Sequence, residues 1–126
     1  MALTHLQAVS VPVSDQTRAK DFYVDVLGFD LLADNPMDAE RRWVQVAPKG
    51  AVTSLTLVTW FPTMPAGSLK GLVLVTDDIR ADERRLKERG VRFGGPIQEE
   101  MWGRYLEFDD PDGNAWVLVQ PPATGR

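Results

Sequence analysis

The 126-residue chain contains no cysteine and only one histidine, His5. Disulfides, thiolate catalysis and cysteine-ligated zinc or iron–sulfur sites are therefore excluded. It also lacks an excess of positive charge: fourteen Lys and Arg stand against eighteen Asp and Glu, for a net charge of −4. That balance cannot by itself gather phosphate backbones. The one arginine-rich stretch, Arg80 to Arg89, is interleaved with Asp82, Glu83 and Glu88. It reads as a solvated helix face with local ion pairs, and no nucleic-acid partner is expected. Long apolar runs are missing too. The longest, Leu55 to Phe61, is broken by Thr56 and Thr59, far short of the ~20 residues that span a bilayer. Met1 to Val13 shows no basic start followed by an apolar block, so no membrane partner and no export signal are expected, and the working location is cytoplasmic.

What is present is the composition of a single globular domain, with 44% hydrophobic and 25% charged residues, near the averages for folded soluble chains. Val9, Val11 and Val13 alternate with Ala8, Ser10 and Pro12, the period of a half-buried strand. Ser14 or Asp15 supplies an N-cap oxygen for the helix that follows. In that helix Ala19, Phe22, Tyr23, Val26 and Leu27 form an apolar stripe, and Gly28 stands at the expected left-handed stop. Strands are expected at Phe29 to Ala33, Trp43 to Val46 and Ser54 to Trp60. Asp34 to Glu40 should form a polar connection, and Phe61 to Lys70, with Pro62, Pro65 and Gly67, a boundary loop.

After the loop the plan restarts. Gly71 to Val75 is a strand, Asp77-Asp78 a cap, Ile79 to Arg89 a helix and Gly90 its stop. Asp15 and Asp77, Gly28 and Gly90, Val11 and Val73, Ala19 and Ala81, and Val44 and Leu106 are all offset by 62 residues. Self-similarity at one offset indicates a duplicated supersecondary unit. Further strands are expected near Val91 to Pro96, Arg104 to Phe108 and Ala115 to Gln120, with a hairpin turn at Asp110-Pro111-Asp112-Gly113-Asn114. The fold class is therefore α+β. One domain, residues 1–126, is made of two βαβββ modules, about 1–62 and about 69–122. One helix covers only one face of a four-stranded sheet, so the two free faces are expected to curl around a central cavity.

The residues Val11-Pro12-Val13-Ser14-Asp15, Ala19, Phe22-Tyr23 and Val26-Leu27-Gly28-Phe29 resemble the first half of the vicinal oxygen chelate superfamily. This group includes glyoxalase I, thiol transferases that inactivate fosfomycin, extradiol dioxygenases and bleomycin resistance proteins. Val75-Thr76-Asp77-Asp78-Ile79, Gly90 and the closing Asp110-Pro111-Asp112-Gly113-Asn114 resemble its second half. The resemblance implies a divalent metal held by His, Gln or Glu from the opening and closing strands of each half. Carried over, those positions are Ala8, Gly71 (Lys70 at the strict offset), Val117 and, with variable loop lengths, Thr56. None supplies an imidazole or carboxylate, so no metal and no cofactor is expected. His5 shares strand parity with Gln7 and Val9, away from Ala8, and reads as a terminal surface residue.

Strand parity places Leu106 and Phe108 against the helix, and Tyr105 and Glu107 in the cavity. The resemblance adds that the position three before Asp110, Glu107, lines the pocket of fosfomycin-modifying relatives. Ser10, Trp43, Gln45, Thr56, Val58 and Trp60 face inward by the same parity, and Trp102 stands at a rim. The plain alternative is that these aromatics only fill space between sheets. As a site they suit a flat or amphipathic organic ligand, including one with a positive charge over a tryptophan face. The leading expectation is a metal-free binding protein, similar to bleomycin resistance proteins, that sequesters a small organic molecule as a homodimer. Second is an enzyme of the same fold (a lyase, isomerase or dioxygenase type) with Glu107 as a general base for proton abstraction or isomerisation. Third is a metalloenzyme with displaced ligands drawn from His5, Glu99, Glu100 and Glu107.

Overall fold

A computed structural model of the chain describes residues 2–122. Strand β1 (Ala8–Pro12) leads into helix α1 (Gln16–Asp21), which continues as a π-turn over Phe22–Val26. Strands β2 (Asp30–Pro36), β3 (Arg42–Ala47) and β4 (Ser54–Val58) follow. The second half repeats the order with β5 (Leu72–Val75), α2 (Ile79–Glu88), β6 (Gln98–Glu100), β7 (Gly103–Asp109) and β8 (Ala115–Gln120). The strands form two four-stranded mixed sheets, β1-β4-β3-β2 and β5-β8-β7-β6, with β1 parallel to β4 and β5 parallel to β8. This is the duplicated α+β architecture expected from the sequence.

The caps explain where the helices start. The Asp15 carboxylate accepts the Arg18 amide at 3.0 Å, and Asp78 accepts that of Ala81 at 3.1 Å. Gly28 and Gly90 stop them at φ +82° and +90°, a conformation that side-chain-bearing residues resist. Between cap and stop, the first helix is one residue longer: Asp15 to Gly28 spans thirteen residues and Asp78 to Gly90 twelve. The π-turn absorbs the extra residue, with the Leu27 amide reaching back to the Phe22 carbonyl at 3.0 Å.

This corrects the single 62-residue offset. Up to the first residues of the π-turn the equivalent pairs are 63 apart, since buried Gln16 matches buried Ile79 and buried Tyr23 matches buried Leu86. Behind it the offset of 62 holds, as for Val44 and Leu106 in β3 and β7, both buried. Val11 and Val73 do not correspond, because the first is buried and the second is 61% exposed.

A second correction concerns Val91 to Pro96, which does not form a strand. Phe93 alone bridges to Phe108, and the regular ladder starts only at Gln98 opposite Tyr105. Five residues thus span what β7 covers in three, and Gly94-Gly95-Pro96 bulges out. Glycine tolerates the bend, and proline has no amide for a ladder.

One core joins the halves. Val11, Tyr23, Val44, Val46 and Leu57 of the first cluster with Ile79, Leu106, Phe108, Trp116 and Leu118 of the second. At its centre the Tyr23 hydroxyl donates to the Asp110 carboxylate at 2.7 Å and accepts from the Trp116 indole at 3.0 Å. Asp110 also accepts from the Asn114 side chain at 2.8 Å and from the Asp112 and Asn114 amides. The side-chain polar atoms of Tyr23, Asp110, Asn114 and Trp116 therefore all have partners, as low-dielectric surroundings demand, whereas Asp112 Oδ2 of the same turn has none among the described residues. Burial, reinforced by the adjacent Asp110 charge, pushes the Tyr23 phenol far above its ordinary range. The Asp-Pro-Asp-Gly-Asn turn is thus more than a hairpin closure. It docks the first helix and, through Asn114 Nδ2 to the Pro12 carbonyl at 2.8 Å, the end of β1.

Candidate functional site

Helix α1 packs on β3 and β4, and α2 on β8, which leaves one helix-free face on each sheet. On the first sheet the register sets Ser10 beside Thr56, Thr56 beside Gln45 and Gln45 beside Ala33, a single row across all four strands. Ser10, Gln45 and Thr56 are therefore brought together. Val58 is beside Pro12, one step along. The indole N–H of Trp43 donates to Gln45 Oε1 at 3.1 Å, Gln45 Nε2 donates to Ser54 Oγ at 2.7 Å, and Ser54 Oγ donates to the Gln7 carbonyl at 3.1 Å. This chain holds the Trp43 ring in place and spends its only hydrogen-bond donor internally, so the ring offers a ligand its π-face alone. Trp60 follows β4, next to Phe61 with ring centroids 6.2 Å apart.

On the second sheet Tyr105, Val119 and Val75 form one row, and Glu107, Val117 and Val73 the next. Trp102 stacks on Tyr105 at 5.4 Å with ring planes 18° apart. Gly103 makes this hairpin possible, since a Cβ there would meet the Gln120 carbonyl oxygen at 2.4 Å. The two faces differ in cover. Ser54, Thr56 and Val58 are buried, whereas Val73 and Val75 are 61% and 63% exposed.

The nine residues singled out from sequence thus form two sets: Ser10, Trp43, Gln45, Thr56, Val58 and Trp60 on one sheet, and Trp102, Tyr105 and Glu107 on the other. A cavity of about 810 Å³ opens beside the Gly94-Gly95-Pro96 bulge, with Phe22, Phe93, Arg92, Glu107, Asp109 and Val117 in its wall. Of the nine, Glu107 alone reaches it. Glu107 makes no ion pair among the described residues, and its backbone carbonyl accepts the Gly94 amide at 2.8 Å. His5 is exposed and hydrogen-bonds the neighbouring Thr4 hydroxyl at 3.0 Å.

Sequence reasoning missed Ser54, Val73, Val75 and Arg41. The valines were concealed by the 62-residue offset, which aligned Val73 with Val11; an offset of 63 aligns it with Ser10. Arg41 has the parity of Trp43 but falls between the polar connection read at Asp34 to Glu40 and the strand read from Trp43.

The positions at which the resemblance implies metal ligands are Ala8, Gly71, Val117 and, with variable loop lengths, Thr56. These side chains do not fit a divalent ion, because aliphatic groups and a lone hydroxyl offer no imidazole or carboxylate. Among the described residues no three His, Cys, Asp or Glu side chains gather into a metal-binding group.

A family model described as the glyoxalase/bleomycin resistance protein/dioxygenase superfamily matches residues 3–118. The chain belongs to this superfamily. Its fold is that of the vicinal oxygen chelate group, as the duplicated modules imply. The chain is 62% identical to TnmS3, an antibiotic binding protein from Streptomyces sp. CB03234. That comparison covers 97% of this chain and 99% of TnmS3, with a TM-score of 0.90. A superfamily member from Sphaerobacter thermophilus DSM 20745 is 38% identical, covering 95% of this chain and 99% of that one, with a TM-score of 0.87. The protein YetH of Bacillus subtilis (strain 168) is 36% identical over 125 residues, 94% of this chain and 99% of YetH.

Proposed function

We propose that this chain is a metal-free binding protein that sequesters an aromatic or amphipathic organic compound between helix-free sheet faces, and that it works as a homodimer. The observation that carries this is the chemistry of those faces. The indole of Trp43, the stacked Trp102–Tyr105 pair and the bare Val73 and Val75 present flat and aliphatic surface. The amide and hydroxyl groups of Gln45 and Ser54 are already bonded to one another. Such a surface gains by burying apolar area, and exposed aliphatic sheet residues call for a cover. A second copy of the chain supplies that cover in this reading, while the ligand takes the aromatic part. The 62% identity with an antibiotic binding protein supports a ligand of antibiotic type.

Native mass spectrometry of protein purified without chelator and incubated with acridone, a neutral flat tricycle, tests this. The expected result is a metal-free dimer carrying intact acridone. A stoichiometric divalent ion per site, a persistent monomer, or no retained acridone contradicts it.

One observation favours a second function. Glu107 sets an unpaired carboxylate in the wall of the 810 Å³ cavity beside Phe93 and Val117, the placement a general base needs. Conversion of a bound compound that Glu107→Gln abolishes, with binding retained, would establish the enzyme; unchanged conversion would dismiss that role.

A further inference from the structure

The connection between β2 and β3 closes over the first sheet through a short acidic–basic clasp. The Asp38 and Met37 amides donate to the Arg41 carbonyl at 3.2 and 2.9 Å. The Asp38 carboxylate accepts the Glu40 and Arg41 amides at 2.9 and 2.8 Å through Oδ1. Its Oδ2 accepts Arg41 Nε at 2.8 Å and pairs with Nη2 at 2.6 Å. These contacts, the guanidinium first, bring the Asp38 carboxyl down to about 2, so the clasp stays charged across the ordinary pH range. The β3–β4 register, continued from Val44 opposite Leu57, sets Arg41 across from Trp60. The Arg41 guanidinium carbon is 5.8 Å from the centroid of the Trp60 ring. Arg41 Nη1 makes no hydrogen bond among the described residues.

Resting on the binding role above, we propose that Arg41 is a specificity-determining residue. It occupies the Trp60 face, so this part of the site takes an aromatic ligand bearing a carboxylate or phenolate and turns away one bearing a cation. The sequence admitted, among flat or amphipathic ligands, one with a positive charge over a tryptophan face. The physical reason for excluding it is an exchange with no gain. A ligand cation can reach the Trp60 face only by displacing Arg41, trading one cation–π contact for another. It also meets like charge on the way. An anionic acceptor leaves the guanidinium on the ring and gains a charge-assisted hydrogen bond from its free N–H groups. Trp43 adds no contrary preference, because its N–H is held by Gln45.

Equilibrium dialysis with matched flat tricycles tests the assignment: anthracene-2-carboxylate (anion), acridone (neutral) and 9-aminoacridine (cation). The native chain should bind the anion at least about fivefold more tightly than the cation, the size of one partly solvated charge-assisted hydrogen bond. Arg41→Gln, at an exposed position, should erase or invert that ratio of anion to cation binding. Asp38→Asn keeps the guanidinium and frees it from its partner, so the preference for the anion should persist or grow. A ratio unchanged in Arg41→Gln, or a native chain that prefers the cation, overturns the role of Arg41 and leaves the binding function standing. Failure of all three probes to bind the native chain overturns the binding function, and the role of Arg41 with it.

Discussion

In the first half of the molecule the helix carries a π-turn, and its buried tyrosine reaches across to Asp110 and Trp116 of the second half. In the second half the helix is regular, and Leu86 fills the matching position with no polar reach. The open faces differ in the same spirit. The first is lined by hydroxyl, amide and indole groups bonded to one another, with a buried floor. The second is bare and aliphatic at Val73 and Val75, with the Trp102–Tyr105 stack and Glu107 in the same rows. A duplicated unit thus supplies two copies of one scaffold, and small departures give them separate tasks. One inserted residue makes the first helix the fastener of the pair, and the alternation of side chains on β5 and β8 leaves Val73 and Val75 exposed on the second face, the surface that the proposed dimer would cover.

The largest effect expected from breaking this comparison is at the fastener. Trp116→Ala should destabilise the fold by about 3–5 kcal/mol, the usual cost of removing a buried large aromatic, measured by urea denaturation. It removes the ring stacked on Phe108, with centroids 6.2 Å apart and planes 7° apart, and the indole N–H that Tyr23 accepts.

Tyr23→Phe keeps the ring and deletes only the polar reach. The Trp116 N–H then loses its acceptor, for about 1–3 kcal/mol. The second helix should show no counterpart: Leu86→Met, conservative in volume, should cost less than ~1.5 kcal/mol. Equal losses for the two changes would mean that the π-turn and its tyrosine do not fasten the halves.

On the bare face the sign of the comparison reverses. Val75→Lys should change the stability of a single chain by no more than ~0.5 kcal/mol, since the residue is already solvated, yet prevent dimer formation in analytical ultracentrifugation. A dimer that tolerates this lysine would contradict the assignment of the β5–β8 face to a partner.

The smallest effect belongs to the ion cluster on the first half. Arg42 and then Lys20 hydrogen-bond the Asp34 carboxylate and lower it from 3.8 to about 2. A depressed carboxyl stabilises the fold fully above its ordinary value and loses that contribution as pH falls from about 4 to about 2. Asp34 should therefore titrate near 2 by NMR, and Arg42→Gln should raise it toward the ordinary range, with Lys20 still holding it down in part. The stability gained is small because Arg42 is partly solvated.

Much of the fold was legible because strands, caps and stops leave local marks: alternation around Val9, Val11 and Val13, cap carboxylates, and Gly28 and Gly90 at the helix ends. The π-turn was not, because Ala19, Phe22, Tyr23, Val26 and Leu27 satisfy a regular apolar stripe equally well. Only its consequence, a one-residue slip between the halves, distinguishes it. Val91 to Pro96 has the apolar content of a strand, but Gly94-Gly95-Pro96 removes the stiffness and an amide that pairing needs. For the site, parity put Ser10, Thr56 and Gln45 on one face, a local property of each strand, while the row they form depends on the register between strands. The closing of Arg41 over Trp60 depends on the turn geometry of Asp38, which periodicity does not carry.

The most direct test of the binding role follows the four indole N–H signals in a proton–nitrogen NMR spectrum as acridone is added. Trp43, Trp60 and Trp102 stand on the helix-free side or its rim, whereas Trp116 is buried with its N–H on Tyr23 and borders only the separate cavity beside Glu107. Saturable shifts of the first three signals, with that of Trp116 unmoved, are the predicted result. Movement of Trp116 alone, or of none, would contradict it.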